Sequence, residues 1–266
     1  MKDIINIKQE LERYMSKKYC NVDDISKCPK GDKCTCKIAA ETQAYLRCVI
    51  PHPYYKFTIH DFDGLSLDNN LLIDAGVALE AKKKVVDYCW TGIDILKIQE
   101  TPSTVLDSHS CISKRRLTGS NVVIFDDSSL NQKSGKSPKG KTLIASLIMK
   151  EAIKSRLSGD DSFCQTYDWI EYPILENKVL KKDDVSVSEL CSSDWLVVDD
   201  ITYTDQRWRK QALDAFFLER LNDGLPTILV IRFDITKFNS EDALGVAITK
   251  IIRDPKTFII SLASNK

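Results

Sequence analysis

The chain of 266 residues lacks net charge and has no long apolar run, internal repeat or low-complexity tract. Each absence narrows what it can be. Its 38 Lys and Arg residues balance 38 Asp and Glu residues, so the overall field neither draws nor repels a polyanion, and any nucleic-acid contact has to come from local patches. No segment approaches the roughly 18 consecutive apolar residues that a membrane-spanning helix needs. The start, Met1-Lys2-Asp3-Ile4, lacks the pattern of a signal peptide. These features predict a soluble, cytoplasmic protein with no membrane partner.

Domains typically run about 100–200 residues, so the length predicts one α/β domain and a smaller part. Nine cysteines are present, and five of them (Cys20, Cys28, Cys34, Cys36 and Cys48) fall near the N-terminus. That asymmetry argues against a disulfide framework spread through a secreted fold. In an intracellular protein, clustered thiols point to a metal site. The scattered Cys89, Cys111, Cys164 and Cys191 read as small buried side chains.

Patterning along the chain separates these two parts. Residues 1–50 hold a short amphipathic helix from Ile4 to Ser16, then the turn-rich run Cys28 to Cys36, then a helical stretch from Lys37 to Val49. A boundary follows near Pro51-His52-Pro53, with His52 and His60 read as ordinary boundary residues. In residues 51–266, helical periodicity covers Leu71 to Trp90, Thr142 to about Gly159, Arg207 to Asn222 and Glu241 to Ile252. Apolar runs suited to strands are Asn121 to Phe125, Phe163 to Ile170, Trp195 to Asp199, Thr227 to Arg232 and Thr257 to Leu262. The alternation predicts an α/β fold, a parallel sheet with helices on both faces.

Two motifs carry chemistry. Gly135-Lys136-Ser137-Pro138-Lys139-Gly140-Lys141-Thr142 matches the phosphate-loop pattern Gly-x-x-x-x-Gly-Lys-Ser/Thr and precedes a helix, as its mechanism requires. There Gly135 and Gly140 permit a tight turn whose N–H groups face phosphate oxygens, at the positive end of the helix. Lys141 would pair with the phosphates and Thr142 would ligate Mg²⁺. Asp126 to Ser134 separate this loop from its strand, a longer interval than usual. Lys133, Lys136 and Lys139 give the loop extra positive charge, suited to solvation or to a nucleic-acid backbone. The second motif, Trp195-Leu196-Val197-Val198-Asp199-Asp200, is a buried strand ending in two acids. Asp199 is the candidate Mg²⁺ ligand, and Asp200 is the candidate catalytic group that orients or deprotonates water. Taken alone, the first motif also fits a solvated surface loop and the second a strand-end turn; together they assign a P-loop nucleoside triphosphatase.

With both motifs placed, the last two hundred or so residues resemble the AAA+ ATPases of the DnaC/DnaI helicase-loader group, which includes the IstB transposition helpers. Ile50-Pro51-His52-Pro53-Tyr54-Tyr55-Lys56-Phe57-Thr58-Ile59-His60-Asp61-Phe62 is similar to the group's leading segment, Asp199-Asp200-Ile201 to its acid strand, and Gly224-Leu225-Pro226-Thr227-Ile228-Leu229-Val230 to its route into the sensor strand. The chain ends soon after the last strand without a helical lid, as these loaders do. It departs from the group where the sensor strand ends in Ile231-Arg232-Phe233-Asp234 instead of Thr-Ser-Asn; Arg232 and Asp234 are the candidate substitutes. Lys250 and Arg253 stand where the group presents an arginine finger to a neighbouring subunit, and Arg253 fits better by charge and reach.

The resemblance implies an ATP-binding and ATP-hydrolysing protein that loads or regulates a replicative DnaB-type helicase on single-stranded DNA and self-associates through its AAA+ domain. It also implies an N-terminal zinc module that meets the helicase. Four thiolates satisfy tetrahedral Zn²⁺; Cys28, Cys34, Cys36 and Cys48 form one possible set, with Cys20 able to replace a member, and reduced thiols in a small core are the alternative. The expected cofactors are therefore ATP, Mg²⁺ and Zn²⁺. Rival readings are a transposition-helper ATPase on duplex DNA and an interaction protein whose degenerate ATPase site only fixes shape.

Overall fold

Five apolar runs become the strands of one sheet: β1 (Val122–Phe125), β2 (Tyr167–Glu171), β3 (Trp195–Ile201), β4 (Thr227–Ile231) and β5 (Phe258–Ser261). The computed structural model describes residues 35–52, 54–57, 75–90, 111–126, 140–155, 166–203, 206–237 and 240–262. All strand pairs are parallel, in the order β2-β3-β4-β1-β5. β1 and β4 are buried along their whole lengths, as strands covered on both faces must be.

Alternate residues of each strand sort into two cores. Val122, Ile124, Val197, Ile228 and Val230 pack under α1 (Thr35–Val49), α2 (Ala75–Trp90), α3 (Cys111–Leu117) and α4 (Lys141–Lys154). Val123, Phe125, Leu196, Val198, Leu229 and Ile231 pack under α5 (Tyr172–Leu180), α6 (Asp184–Ser192), α7 (Arg207–Asn222), α8 (Ser240–Leu244) and α9 (Val246–Arg253). The expected α/β architecture is present among the described residues. α1 lies on the N-terminal side of the boundary expected at residue 50, and its Leu46 and Val49, with Ile50, share the core of α4 and the sheet.

The topology creates a site before any polar residue is considered. The crossover from β1 to β2 carries α4 on the first face, whereas the crossovers from β2 to β3, β3 to β4 and β4 to β5 run the opposite way across the sheet and carry helices on the second. Right-handed crossovers require that exchange of faces. β1 and β4 are neighbours whose chains leave toward opposite faces, so a crevice opens at their C-terminal ends.

Several elements differ from their sequence patterns. The helix read as Glu241 to Ile252 is two helices that part at Gly245 (φ 91°). A Cβ there would come within 3.2 Å of Lys210 Cβ, and Asp214 accepts from the Ala247 amide at 2.8 Å to start α9. The strand sought from Phe163 begins at Tyr167, and α4 ends at Lys154, before Gly159. Short α3, α5 and α6 had no strong periodicity to announce them. The helix expected from Ile4 to Ser16 lies outside the described residues.

At the opposite, N-terminal edge, the sheet is tied by a buried cation. Arg220 of α7 is fully buried; its guanidinium donates to the carbonyls of Leu190, Cys191, Ser193 and Pro226 and to Thr227 Oγ1 at 2.8–3.0 Å. Burial lowers its pKa to about 10, so it stays charged at neutral pH. We predict that Arg220→Met, which orphans these acceptors, lowers unfolding free energy by about 3 kcal/mol. Arg253→Gln, which removes an exposed ion pair with Glu241, should change it by less than about 1 kcal/mol. Urea denaturation of both variants checks the contrast.

Candidate functional site

Helix α4 starts directly after Gly140, which sits at φ 74° and ψ 9°, a left-handed conformation that glycine adopts most easily. Gly140 has no side chain with which to cap this end. The first turn of α4, whose N–H groups lie outside the helix's own ladder, stands at the positive pole of the helix dipole. Of the phosphate-loop match, Gly135, Lys136, Ser137, Pro138 and Lys139 lie outside the described residues, while Gly140, Lys141 and Thr142 form this helix start.

Lys141 is 4% exposed and its ammonium donates to the carboxylate of Asp126, which is fully buried. Asp126 immediately follows β1 and stands in the crevice between strand and helix. In the sequence it looked like the first residue of a polar loop; no local signal marks it as the partner of Lys141. Next along α4, Thr142 stands beside the Asp199 carboxylate of β3, and its hydroxyl works to lower that group's pKa. The two motifs thus meet through side chains, although β4 lies between β1 and β3 in the sheet.

Asp199 is nearly buried, at 8% exposure. Burial pushes its carboxyl from 3.8 up to about 6; the neighbouring Glu171 carboxylate adds to the rise, and the Thr142 hydroxyl, Arg232 and Lys141 partly offset it. Glu171 is the register partner of Asp199 on β2, a second acid that the sequence reading passed over. An incompletely compensated carboxylate beside a hydroxyl offers two hard oxygen donors, which fits a small divalent cation such as Mg²⁺ that keeps waters and substrate oxygens in its remaining positions.

Asp200 has a different environment from Asp199. The register advances from Val198↔Leu229 to Ile201↔Ile231, so β3 carries one extra residue here, a bulge that re-aims side chains. Asp200 takes φ 69°, rare for a residue with a Cβ. Its amide donates to Asp199 Oδ1 at 2.8 Å, and its carboxylate forms an ion pair with Arg232, the residue just past β4. The Arg232 amide donates to the Ile201 carbonyl at 2.9 Å. Asp234, the other candidate at this strand end, is buried and accepts from Thr236 Oγ1 at 2.6 Å, an Asx turn that shapes the chain.

The leading segment is strapped to the same helix. Lys150 of α4, 4% exposed, donates to the carbonyls of Tyr54, Tyr55 and Phe57. Burial raises the Tyr54 phenol and the Asp199 charge raises it further, which puts Tyr54 within electrostatic reach of the site.

Arg253 is elsewhere. It ends α9, its side chain is 64% exposed beside Glu241, and the chain beyond it enters β5 at Phe258, opposite Val122 at the start of β1. That is the edge of the sheet away from Lys141 and Asp199.

The proposed zinc set needs correction. Cys36 and Cys48 both belong to α1, and twelve residues of α-helix separate them by about 18 Å, whereas two thiolates on one Zn²⁺ lie within about 4 Å of each other. They cannot share an ion, so Cys28, Cys34, Cys36 and Cys48 are not one tetrahedral site. Cys20, Cys28 and Cys34 lie outside the described residues. Among the described residues, no group of three or more His, Cys, Asp or Glu is placed to hold a metal ion. No helix among them is long and apolar enough to cross a membrane.

Among solved structures, the chain is similar to the crystal structure of the DnaC helicase loader. The match has 14% sequence identity and a TM-score of 0.40, over 62% of this chain and 95% of that one. No family model and no curated protein matches. What the site can do chemically therefore follows from its own geometry.

The raised Asp199 carboxyl makes stability depend on pH with a definite sign. Between about pH 4 and 6 the native state holds a proton that the unfolded chain has released, so wild-type stability falls as pH rises through that window. Asp199→Asn escapes this loss, and its hydroxyl partner Thr142 keeps an acceptor. The variant is expected to match the wild type near pH 4 and to exceed it by about 2–3 kcal/mol above pH 6. Chemical denaturation across pH 4–8 measures the difference.

Proposed function

We propose that this chain binds and hydrolyses ATP with Mg²⁺, and that the ATPase cycle loads or regulates a replicative DnaB-type helicase on single-stranded DNA. One observation carries the chemical part: at the start of α4, Lys141 pairs with the buried Asp126 just past β1 and Thr142 stands beside the buried Asp199 of β3, at the switch point of a parallel sheet. A helix start suits phosphate oxygens. Lys141 supplies the positive charge, and Thr142 with Asp199 supplies the oxygen ligands for Mg²⁺, which neutralises charge on the phosphates when bound. In hydrolysis a water oxygen bonds to the γ-phosphorus and the bond to the bridging oxygen breaks. ADP leaves with that electron pair, and Asp200 accepts the water's proton.

The loader role has different support, the order of motifs shared with the helicase-loader group: the leading segment around Pro51 to Phe62, the Asp-Asp-Ile strand end and the Gly224-Leu225-Pro226 route into β4. In this reading Arg253 is offered to a neighbouring copy as an arginine finger, and the segment before α1 meets the helicase.

Testing this calls for a lysine variant that still folds. Lys141→Ala alone takes the cation from a fully buried carboxylate, at a cost of about 3 kcal/mol, and adding Asp126→Asn should restore the melting temperature. Wild-type protein should release phosphate from ATP in Mg²⁺ and retain purified replicative helicase in a nucleotide-sensitive way. The Lys141→Ala/Asp126→Asn protein should lose at least about nine-tenths of the turnover and all nucleotide sensitivity. Absence of phosphate release from wild-type protein would sink the ATPase, and failure to retain helicase in any nucleotide state would sink the loader.

A further inference from the structure

We propose that Cys89 and Cys111 are a redox-active thiol pair: a peroxide oxidises the half-buried Cys111, and the buried Cys89 then closes a disulfide that staples α2 to α3. The pair lies outside the nucleotide machinery and stands apart from the function proposed above.

The end of a helix brings the two thiols together. The last four carbonyls of α2, those of Asp87, Tyr88, Cys89 and Trp90, have no partner within their own helix, and α3 packs against them. The Arg115 guanidinium donates to the Tyr88 carbonyl at 3.3 Å and to the Asp87 carbonyl at 3.4 Å, over a Tyr88 ring whose centre is 5.0 Å away. One turn earlier on α3, Cys111 Sγ donates to the Trp90 carbonyl at 3.1 Å. Residues four apart share one face of a helix, so the face of α3 that carries Cys111 and Arg115 meets α2 on both sides of Cys89. The Cys111 sulfur therefore touches the residue next to Cys89, and the Cα atoms of those two neighbours are about 3.8 Å apart.

Both residues are free thiols, and their surroundings give them different parts. Cys111 is half-buried and reachable by a small oxidant. Cys89 is 2% exposed. Burial holds its thiol above the ordinary range, and the titratable groups it feels are Glu151, Arg115, Cys111 and Lys154. A solvent oxidant meets Cys111 first, and Cys89 reacts only with a sulfur already beside it.

In the first step the Cys111 sulfur bonds to one oxygen of hydrogen peroxide and the O–O bond breaks. The departing hydroxide takes that electron pair and the thiol proton and leaves as water, and Cys111 becomes a sulfenic acid. In the second step the Cys89 sulfur bonds to the Cys111 sulfur, the S–O bond breaks, and hydroxide leaves with the Cys89 proton as a second water. The two thiols lose two electrons and the peroxide gains them. The Cys111 hydrogen bond to Trp90 is lost, while a covalent ring from Cys89 to Cys111 restricts the unfolded chain.

The test is a peptide map of full-length protein treated with hydrogen peroxide, alkylated with iodoacetamide and digested with trypsin, which cuts after Lys97 between the two cysteines. Wild-type protein should yield the Cys89 and Cys111 peptides joined, lighter than their sum by two hydrogens and separated by dithiothreitol. Its melting temperature should rise by about 5–10 °C on oxidation, and Cys111→Ser should lose both the joined peptide and the rise. In Cys89→Ala the sulfenic acid has no partner thiol, so dimedone should label Cys111 severalfold more than in wild type. Recovery of Cys89 as an alkylated thiol while Cys111 is oxidised further, or is joined to a different cysteine, would overturn the pair. Recovery of both as alkylated thiols would overturn it too, and the wild-type map decides this whether or not the variants fold.

Discussion

The contact between the Thr142 hydroxyl and the Asp199 carboxylate is the constraint on which the rest of the site depends. It joins the first turn of α4 to the end of β3, across a sheet in which β4 separates β3 from β1. A carboxylate with so little exposure is costly to keep ionised, and its surroundings only partly offset that cost. The protein thus retains a local electrostatic deficit beside a hydroxyl and a helix start. Such a deficit is relieved by a cation that arrives with its own anionic partner, as Mg²⁺ does with a nucleoside triphosphate.

The remaining charges are arranged around that deficit in pairs. Lys141 with Asp126 and Arg232 with Asp200 each place a cation against an acid on the rim formed by β1, β3 and β4. Neither cation is left bare, which limits the cost of burying Lys141 and keeps the site from collecting stray anions. Sheet topology makes this possible, because the exchange of faces at β1 and β4 collects the ends of three strands and the start of one helix in a single crevice. At the other edge of the sheet, the buried Arg220 and its carbonyl acceptors hold α6, α7 and β4 in register, so the charged rim stands on a rigid base.

Much of the frame was legible in the sequence for a physical reason. β1, β4 and the first four residues of β3 are buried on both faces and so read as apolar runs rich in β-branched residues, and α7 was bounded at Arg207 and Asn222 as found. Lys141, Thr142, Asp199 and Asp200 belong to motifs whose spacing encodes their geometry. The hidden parts are those that depend on neighbours distant in sequence. Nothing local tells that Asp126 pairs with Lys141, that Glu171 lies beside Asp199, or that Arg232 grips Asp200, because each follows from how strands and helix come together in the fold. The bulge at Asp199-Asp200 has no glycine to announce it. Two signals went unused, Pro173 near the start of α5 and Asp183, whose carboxylate caps α6 through the Ser186 amide. The cysteine pattern misled because spacing alone does not reveal that Cys36 and Cys48 lie on one continuous helix.

The most direct test of the central claim is a calorimetric double-mutant cycle on ATP binding, with Mg²⁺ and with EDTA, across wild-type, Thr142→Ala, Asp199→Ala and the double variant. The account predicts a large Mg²⁺-dependent gain in wild-type affinity, lost to a similar extent in each single variant and hardly further in the double, because the two residues hold one ion. Equal wild-type affinity with Mg²⁺ and with EDTA, or additive losses from the two substitutions, would contradict it.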